Sequence, residues 1–212
     1  MNKNYQRELD ALIAKLEPSS PPHLLLHSCC APCSSYTLEY LSRYFRITLL
    51  YYNPNIFPAE EYYRRCEEQQ TLIGKMSFLN PVSFLEGKYD PKTFYKLAKG
   101  FENEPECGER CTRCYKLRLH EAAITARSIG ADYFTTTLTI SPHKDAHRLN
   151  SIGERFAKQY GIALLPSDFK KKNGFKRSIE LSQEYGLYRQ DYCGCEFSKI
   201  SREKSERNNP IK

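Results

Sequence analysis

Apolar residues recur at helical spacing at Leu9, Leu12, Ile13 and Leu16, which predicts an amphipathic leading helix before the break at Pro18-Ser-Ser-Pro-Pro22. His23-Leu-Leu-Leu-His27 is a short apolar run that suits a buried strand; it opens into Ser28-Cys-Cys-Ala-Pro-Cys-Ser-Ser35, with a helix-like stretch over 37–44. A second strand is expected over 47–52, ending in Asn53-Pro-Asn55. Pro58-Ala-Glu-Glu61 then starts a charged helix through about Leu72, because proline early in a helix and carboxylates in its first turn favour that start. Residues 80–86 suit a third strand and 91–98 a short helix, while 99–110 lack periodicity. Cys111-Thr-Arg-Cys114 leads into a helix over 117–129 that stops at Gly130. The run 132–140, rich in threonine and aromatic residues, reads as strand. Residues 149–160 and 178–185 read as helices, 162–165 as another strand, and 199–212 as a ragged basic tail.

Strands separated by helices argue for a three-layer α/β fold around a mostly parallel sheet, whose ligands sit beyond the carboxyl ends of the strands. Three segments fall at such ends: Cys29 to Cys33, Tyr51 to Asn55 and Ser141 to Asp145. They are expected to line one cleft. The 212 residues carry a formal charge of +7 and nine cysteines, an odd number that cannot all pair within one chain. The first twenty residues are polar and charged, without an apolar core, and the longest apolar runs are only strand length. The expectation is a cytoplasmic protein with no membrane segment, in which clustered cysteines more often bind metal or do redox chemistry than staple the fold.

The thiols fall into groups: Cys29-Cys30 with Cys33, Cys107 with Cys111 and Cys114, Cys193-Gly-Cys195, and Cys66 alone. Cys111 and Cys114 at a helix start would share one face, near enough for one metal centre, and a helix start favours thiolate. Two buried small residues are the bland alternative. Adjacent Cys29 and Cys30 chelate one small ion only if the chain turns there, whereas an iron–sulfur cluster spreads its open positions over several irons. With Cys111 and Cys114 they make four thiolates; structural zinc stays an alternative. In Cys193-Gly-Cys195 the glycine permits the backbone that a tight disulfide ring needs, and a strained disulfide is a labile one. A metal-ligand pair is the other reading of that spacing. Cys66 on its charged helix reads as a packing residue, and Cys33 and Cys107 have no assignment.

Together, Cys29-Cys-Ala-Pro32, Tyr52-Asn-Pro-Asn-Ile56 with Glu60-Glu-Tyr62, Cys111-x-x-Cys-Tyr-x-x-Arg-Leu119, Phe134-Thr-Thr-Thr-Leu-x-Ile-Ser-Pro142, Asp168-Phe-Lys-Lys171 and Gly186-Leu-Tyr-Arg-Gln-x-Tyr-Cys-Gly-Cys195 closely resemble the QueH family of cobalamin-independent epoxyqueuosine reductases. The resemblance runs from about His23 to Ser198, leaving the leading helix (1–22) and the basic tail (199–212) outside a central 23–198 domain. It implies a Rossmann-like (HUP-like) fold and the reduction of epoxyqueuosine to queuosine at the wobble position of tRNA, the last step of that modification. It further implies a [4Fe-4S] cluster on Cys29, Cys30, Cys111 and Cys114, a redox-active pair at Cys193 and Cys195, and an additional iron ion beside the cluster. An electron donor, unidentified, would complete the cycle. In some members an aspartate stands where this chain has Cys33.

Turning an epoxide into an alkene needs two electrons, protons and an electrophile for the leaving oxygen, and a thiol-held iron centre with a dithiol meets those needs. Tyr115, His143, Asp145 and Tyr192 are candidate proton donors near the expected cleft. Residues 168–177 hold five basic side chains against one acidic, and 199–212 five against two, which suits an RNA substrate, with Lys170 to Lys172 as phosphate contacts. The sixteen tyrosines offer stacking surfaces for an unpaired base. Two other classes compete. Rossmann-like ATP pyrophosphatases need a glycine-rich phosphate loop after the first strand, and Ser28 to Ser35 contains no glycine. A zinc-stabilised RNA-binding module leaves Cys193-Gly-Cys195 without a role.

Overall fold

The leucine run after the proline break becomes the middle of the molecule because both of its faces are covered. In the computed structural model, which describes residues 3–208, it forms β1 (His23–His27). The other strands are β2 (Arg46–Tyr51), β3 (Val82–Glu86), β4 (Tyr133–Thr136) and β5 (Ala163–Leu164). All pair in parallel, in the order β3-β2-β1-β4-β5. This is the expected Rossmann-like α/β fold. Alternate residues of β1 point to opposite faces, so Leu24 and Leu26 enter one core and Leu25 the other. Each of the three is fully buried, worth about 2 kcal/mol apiece.

On the first face lie α1 (Tyr5–Ile13), α2 (Ala31–Leu41) and α3 (Ala59–Lys75), packed through Leu9, Leu38, Leu41 and Tyr62. On the second lie α5 (Glu109–Ser128) and α6 (Ala146–Tyr160), packed through Leu119, Ala122, Ala126, Leu149 and Ile152. The short α4 (Pro91–Ala98) sits against α5, and α7 (Gly174–Glu184) against α2. At Gly174 a Cβ would come within 2.0 Å of the Phe169 carbonyl and 2.4 Å of the Tyr36 ring, so glycine sets the closeness of that contact. The last helix is α8 (Glu196–Asn208).

Four local expectations are corrected. Helix α2 begins six residues before the expected 37, because Pro32 in its first turn needs no N–H partner there; Cys33 is therefore helical rather than in a loop. Helix α5 begins at Glu109, so Cys111 and Cys114 lie inside its first two turns. Only the first half of 132–140 is strand: the Thr136 hydroxyl accepts from the Leu138 N–H at 3.2 Å and turns the chain into a 3₁₀ segment, Thr137–Ile140. The expected ragged tail is helical through Asn208, and its remainder lies outside the described residues. Phe197 anchors that helix, its ring 6.2 Å from that of Phe94, with the Arg110 guanidinium 4.6 Å over it. Among the described residues, no helix is long and apolar enough to cross a membrane.

Candidate active site

The chain leaves β1 through a turn pinned from two sides. The Ser28 and Ser34 hydroxyls both donate to Gln69 Oε1 of α3, at 2.8 and 2.7 Å, and the Asn53 amide donates to the Ser28 carbonyl at 2.9 Å. Cys30 caps α2, and Cys33 stands in the first turn of that helix. This turn does what extended backbone does not: the sulfurs of Cys29, Cys30 and Cys33 all lie within 4.8 Å of one another, with Cys29 and Cys30 at 3.8 Å. Hydrogen bonds from Cys30 and Cys33, helped by the charges of Arg118 and Lys144, hold Cys29 well below the ordinary thiol range despite burial. The same bonds to Cys29, with burial, push Cys30 up to about 12 and Cys33 well above its usual value.

Beyond this turn a cavity of about 480 Å³ opens at the carboxyl edge of the sheet, large enough for a modified base. The expected strand-end segments meet there through Cys29, Asn55 and Ser141 to Lys144. Cys111 and Cys114 reach it from α5, and Cys193 and Cys195 from the loop before α8. Cys30 is fully buried next to Cys29 and does not line it. Two thiols without an assigned role, Cys33 and Cys107, also line the cavity, while Cys66 packs in the core, as its helix suggested.

The Cys193-Gly-Cys195 segment depends on its glycine. Gly194 has φ +120°, and a Cβ there would lie 3.0 Å from Arg65 Nη1 and 3.2 Å from Ile56. The Gly194 carbonyl accepts from the Phe57 N–H at 2.8 Å, and the Cys193 N–H donates to the Ser198 hydroxyl at 3.0 Å, which in turn donates to Glu106. Cys193 is exposed and Cys195 buried; burial, then the neighbouring Cys193, pushes Cys195 up to about 12. Both are free thiols.

Arg118 of α5 reaches the same region and received no role from the sequence beyond its place in a motif. It is 2% exposed, yet no carboxylate pairs with it among the described residues. It donates to Asn53 Oδ1 at 2.5 Å and to His27 Nε2 at 3.3 Å. His27 Nε2 also lies 3.1 Å from the Tyr52 carbonyl, and its Nδ1 lies 2.8 Å from the Thr136 hydroxyl. Burial, and then the Arg118 charge, lower His27 to about 3, so it stays neutral. Burial opposes the charge on Arg118 too, but Cys114, Cys29 and Cys193 outweigh it and raise its pKa. A buried guanidinium without a carboxylate is expensive unless another anion stands beside it, and of the neighbouring thiols Cys29 is the one held below the ordinary range.

That donor set fits an iron–sulfur group: thiols from two elements at one cavity, three of their sulfurs within 4.8 Å of one another before Cys111 and Cys114 are added, with a buried cation behind them. Of the candidate proton donors, Tyr115, His143 and Tyr192 line the cavity. Tyr192 donates to the Phe57 carbonyl at 2.8 Å, and Asp145 is engaged as the cap of α6. Lys170 and Lys172 are held by Asp168 and Asp10 at 2.6 and 2.7 Å and lie outside the cavity lining.

Fold and cavity define a Rossmann-like α/β protein with a thiol-lined pocket at the carboxyl edge of its sheet. A family model described as epoxyqueuosine reductase QueH matches residues 24–201, and the chain belongs to that family. It is 44% identical over 198 residues to the epoxyqueuosine reductase QueH of Streptococcus pyogenes serotype M1, covering 92% of this chain and 78% of the relative. It is 43% identical to that of Staphylococcus epidermidis, over 93% of this chain and 85% of the relative. The relative from Thermotoga maritima is 32% identical, over 84% of this chain and 91% of its own length.

Proposed function

We propose that this chain reduces epoxyqueuosine to queuosine at the wobble position of tRNA, in the cavity at the carboxyl edge of the sheet. The observation that carries the reading is the convergence there of Cys29, of Cys111 and Cys114, and of Cys193 and Cys195 with the cations Arg118 and Lys144, in a member of the QueH family. Removing the oxygen breaks both C–O bonds, takes up two electrons and two protons, and leaves an alkene and water. Oxidation of Cys193 and Cys195 to a disulfide releases two electrons and two protons, so the exchange balances, and an external reductant restores the dithiol. Cys193, exposed in the cavity, is the thiol that such a reductant reaches.

Cys29, Cys30, Cys111 and Cys114 would hold a [4Fe-4S] cluster, and Cys33 is the further thiol that an additional iron would meet. Bound there, iron supplies one-electron transfer and a Lewis-acid position for oxygen. Tyr115 is the best placed proton donor: it is 4% exposed at the cavity wall, and burial keeps its hydroxyl protonated. For the RNA, α8 is a better phosphate-binding element than Lys170 to Lys172. Its Ser198, Ser201 and Ser205 line the cavity, and it carries Lys199, Arg202, Lys204 and Arg207. A base in an exposed loop enters such a pocket with little loss of pairing.

The test is to incubate anaerobically purified protein with tRNA bearing epoxyqueuosine and a chemical reductant, without cobalamin. The expected result is a nucleoside lighter by one oxygen; iron-loaded protein that leaves the epoxide intact would refute the reading.

A further inference from the structure

Most cations at the cavity are already engaged. Arg65 pairs with Glu61 at 2.6 Å, Arg110 donates to the Phe101 and Glu102 carbonyls at 2.9 and 2.8 Å, and Arg189 donates to the Ser178 carbonyl and the Ser182 hydroxyl at 3.3 and 3.0 Å. Arg202 faces Asp191 at 3.7 Å, and Arg118 is sealed behind Cys114 by Asn53 and His27. Lys144 differs. It lies in the turn between the 3₁₀ segment and α6, its backbone N–H held by the Ser141 carbonyl at 3.2 Å, and its half-buried side chain lines the cavity. Among the described residues its ammonium has neither an ion pair nor a hydrogen bond. The adjacent acid, Asp145, accepts instead from the His147 and Arg148 N–H groups at 2.8 and 3.2 Å.

Cys193, Cys29, Cys33 and Tyr115 line the same cavity, and the charge interactions with them raise Lys144 above the ordinary lysine value although burial works against it. A lysine ammonium with no hydrogen bond or ion pair among the described residues thus lines, with the strand-end thiols and the Cys193-Gly-Cys195 loop, a cavity sized for a base.

Resting on the function proposed above, we infer that Lys144 is a catalytic residue: its ammonium meets the epoxide oxygen and stabilises the negative charge that gathers there as the C–O bonds break. It acts as a fixed charge and its own proton is not transferred. The electron pair comes from the dithiol, and the oxygen leaves as water with the two protons that dithiol oxidation releases. Removing one donor of this kind slows a reaction by about 10²–10³-fold.

The experiment compares Lys144→Met and Lys144→Arg with the unsubstituted protein, measuring three quantities: iron and sulfide content, affinity for tRNA bearing epoxyqueuosine, and the single-turnover rate at saturating tRNA. Lys144→Met should keep its iron and bind tRNA within about twofold of the unsubstituted protein, yet react about 100-fold more slowly or worse, with Lys144→Arg recovering part of the loss. Three results would overturn the assignment. An unchanged rate leaves Lys144 no part in the chemistry. Iron lost in step with the rate makes it a counter-charge to the thiolates, and weakened tRNA binding with a normal saturating rate makes it a phosphate contact. Failure of the underlying function is seen separately, as no turnover by iron-loaded unsubstituted protein, and would remove this assignment with it.

Discussion

The thiols at the end of β1 and those of the Cys193-Gly-Cys195 loop face the same cavity from opposite kinds of structure. Cys29, Cys30 and Cys33 stand on a strand end and a helix start, locked by Gln69 and Asn53, and their sulfurs crowd within 4.8 Å. The hydrogen bonds among them lower Cys29 and raise Cys30 and Cys33. Cys193 and Cys195 stand on a loop whose glycine occupies a conformation closed to other residues, one thiol open to the cavity and the other buried. On the proposed function, the first arrangement holds a metal group in place and the second changes partners. Rigidity and exposure, more than cysteine count, separate a ligand set from a redox pair.

Substitutions should separate the two regions. The largest effect is expected at the strand end: Cys30→Ser should abolish iron retention and, with it, turnover, since a serine hydroxyl does not replace the buried thiolate at the cap of α2 that such a cluster needs. Retention of full iron by this variant would break the distinction. Cys193→Ser should keep its iron and lose multiple turnover, with an intact first reduction when electrons are supplied chemically; undiminished multiple turnover would remove the redox role. Gly194→Ala should act mainly on stability, by about 1–3 kcal/mol in denaturant unfolding, because φ +120° strains any residue with a Cβ and Arg65 lies 3.0 Å away. A change near zero would mean the loop relaxes freely.

How far the sequence spoke depended on how local each signal was. His23–His27 was legible because a strand buried on both faces must be continuously apolar, and Pro91–Ala98 because Asp90 caps a helix that opens on proline. The start of α2 was missed although Pro32 announced it, and with it the placement of Cys33 one turn from Cys30. Helix α8 reads as a tail because its exposed positions are mostly charged or serine, while its anchor is a tertiary contact of Phe197 with Phe94. Lys144 falls in the Ser141 to Asp145 segment expected at the cleft and Arg118 in the Cys111 motif, but neither had a role, because a cation reads as solvent-facing until the fold shows what lies around it.

Metal and sulfide analysis with an anaerobic absorption spectrum tests the central claim most directly. The account predicts brown protein carrying about four irons and about four acid-labile sulfides per chain. Stoichiometric zinc with no acid-labile sulfide would contradict it.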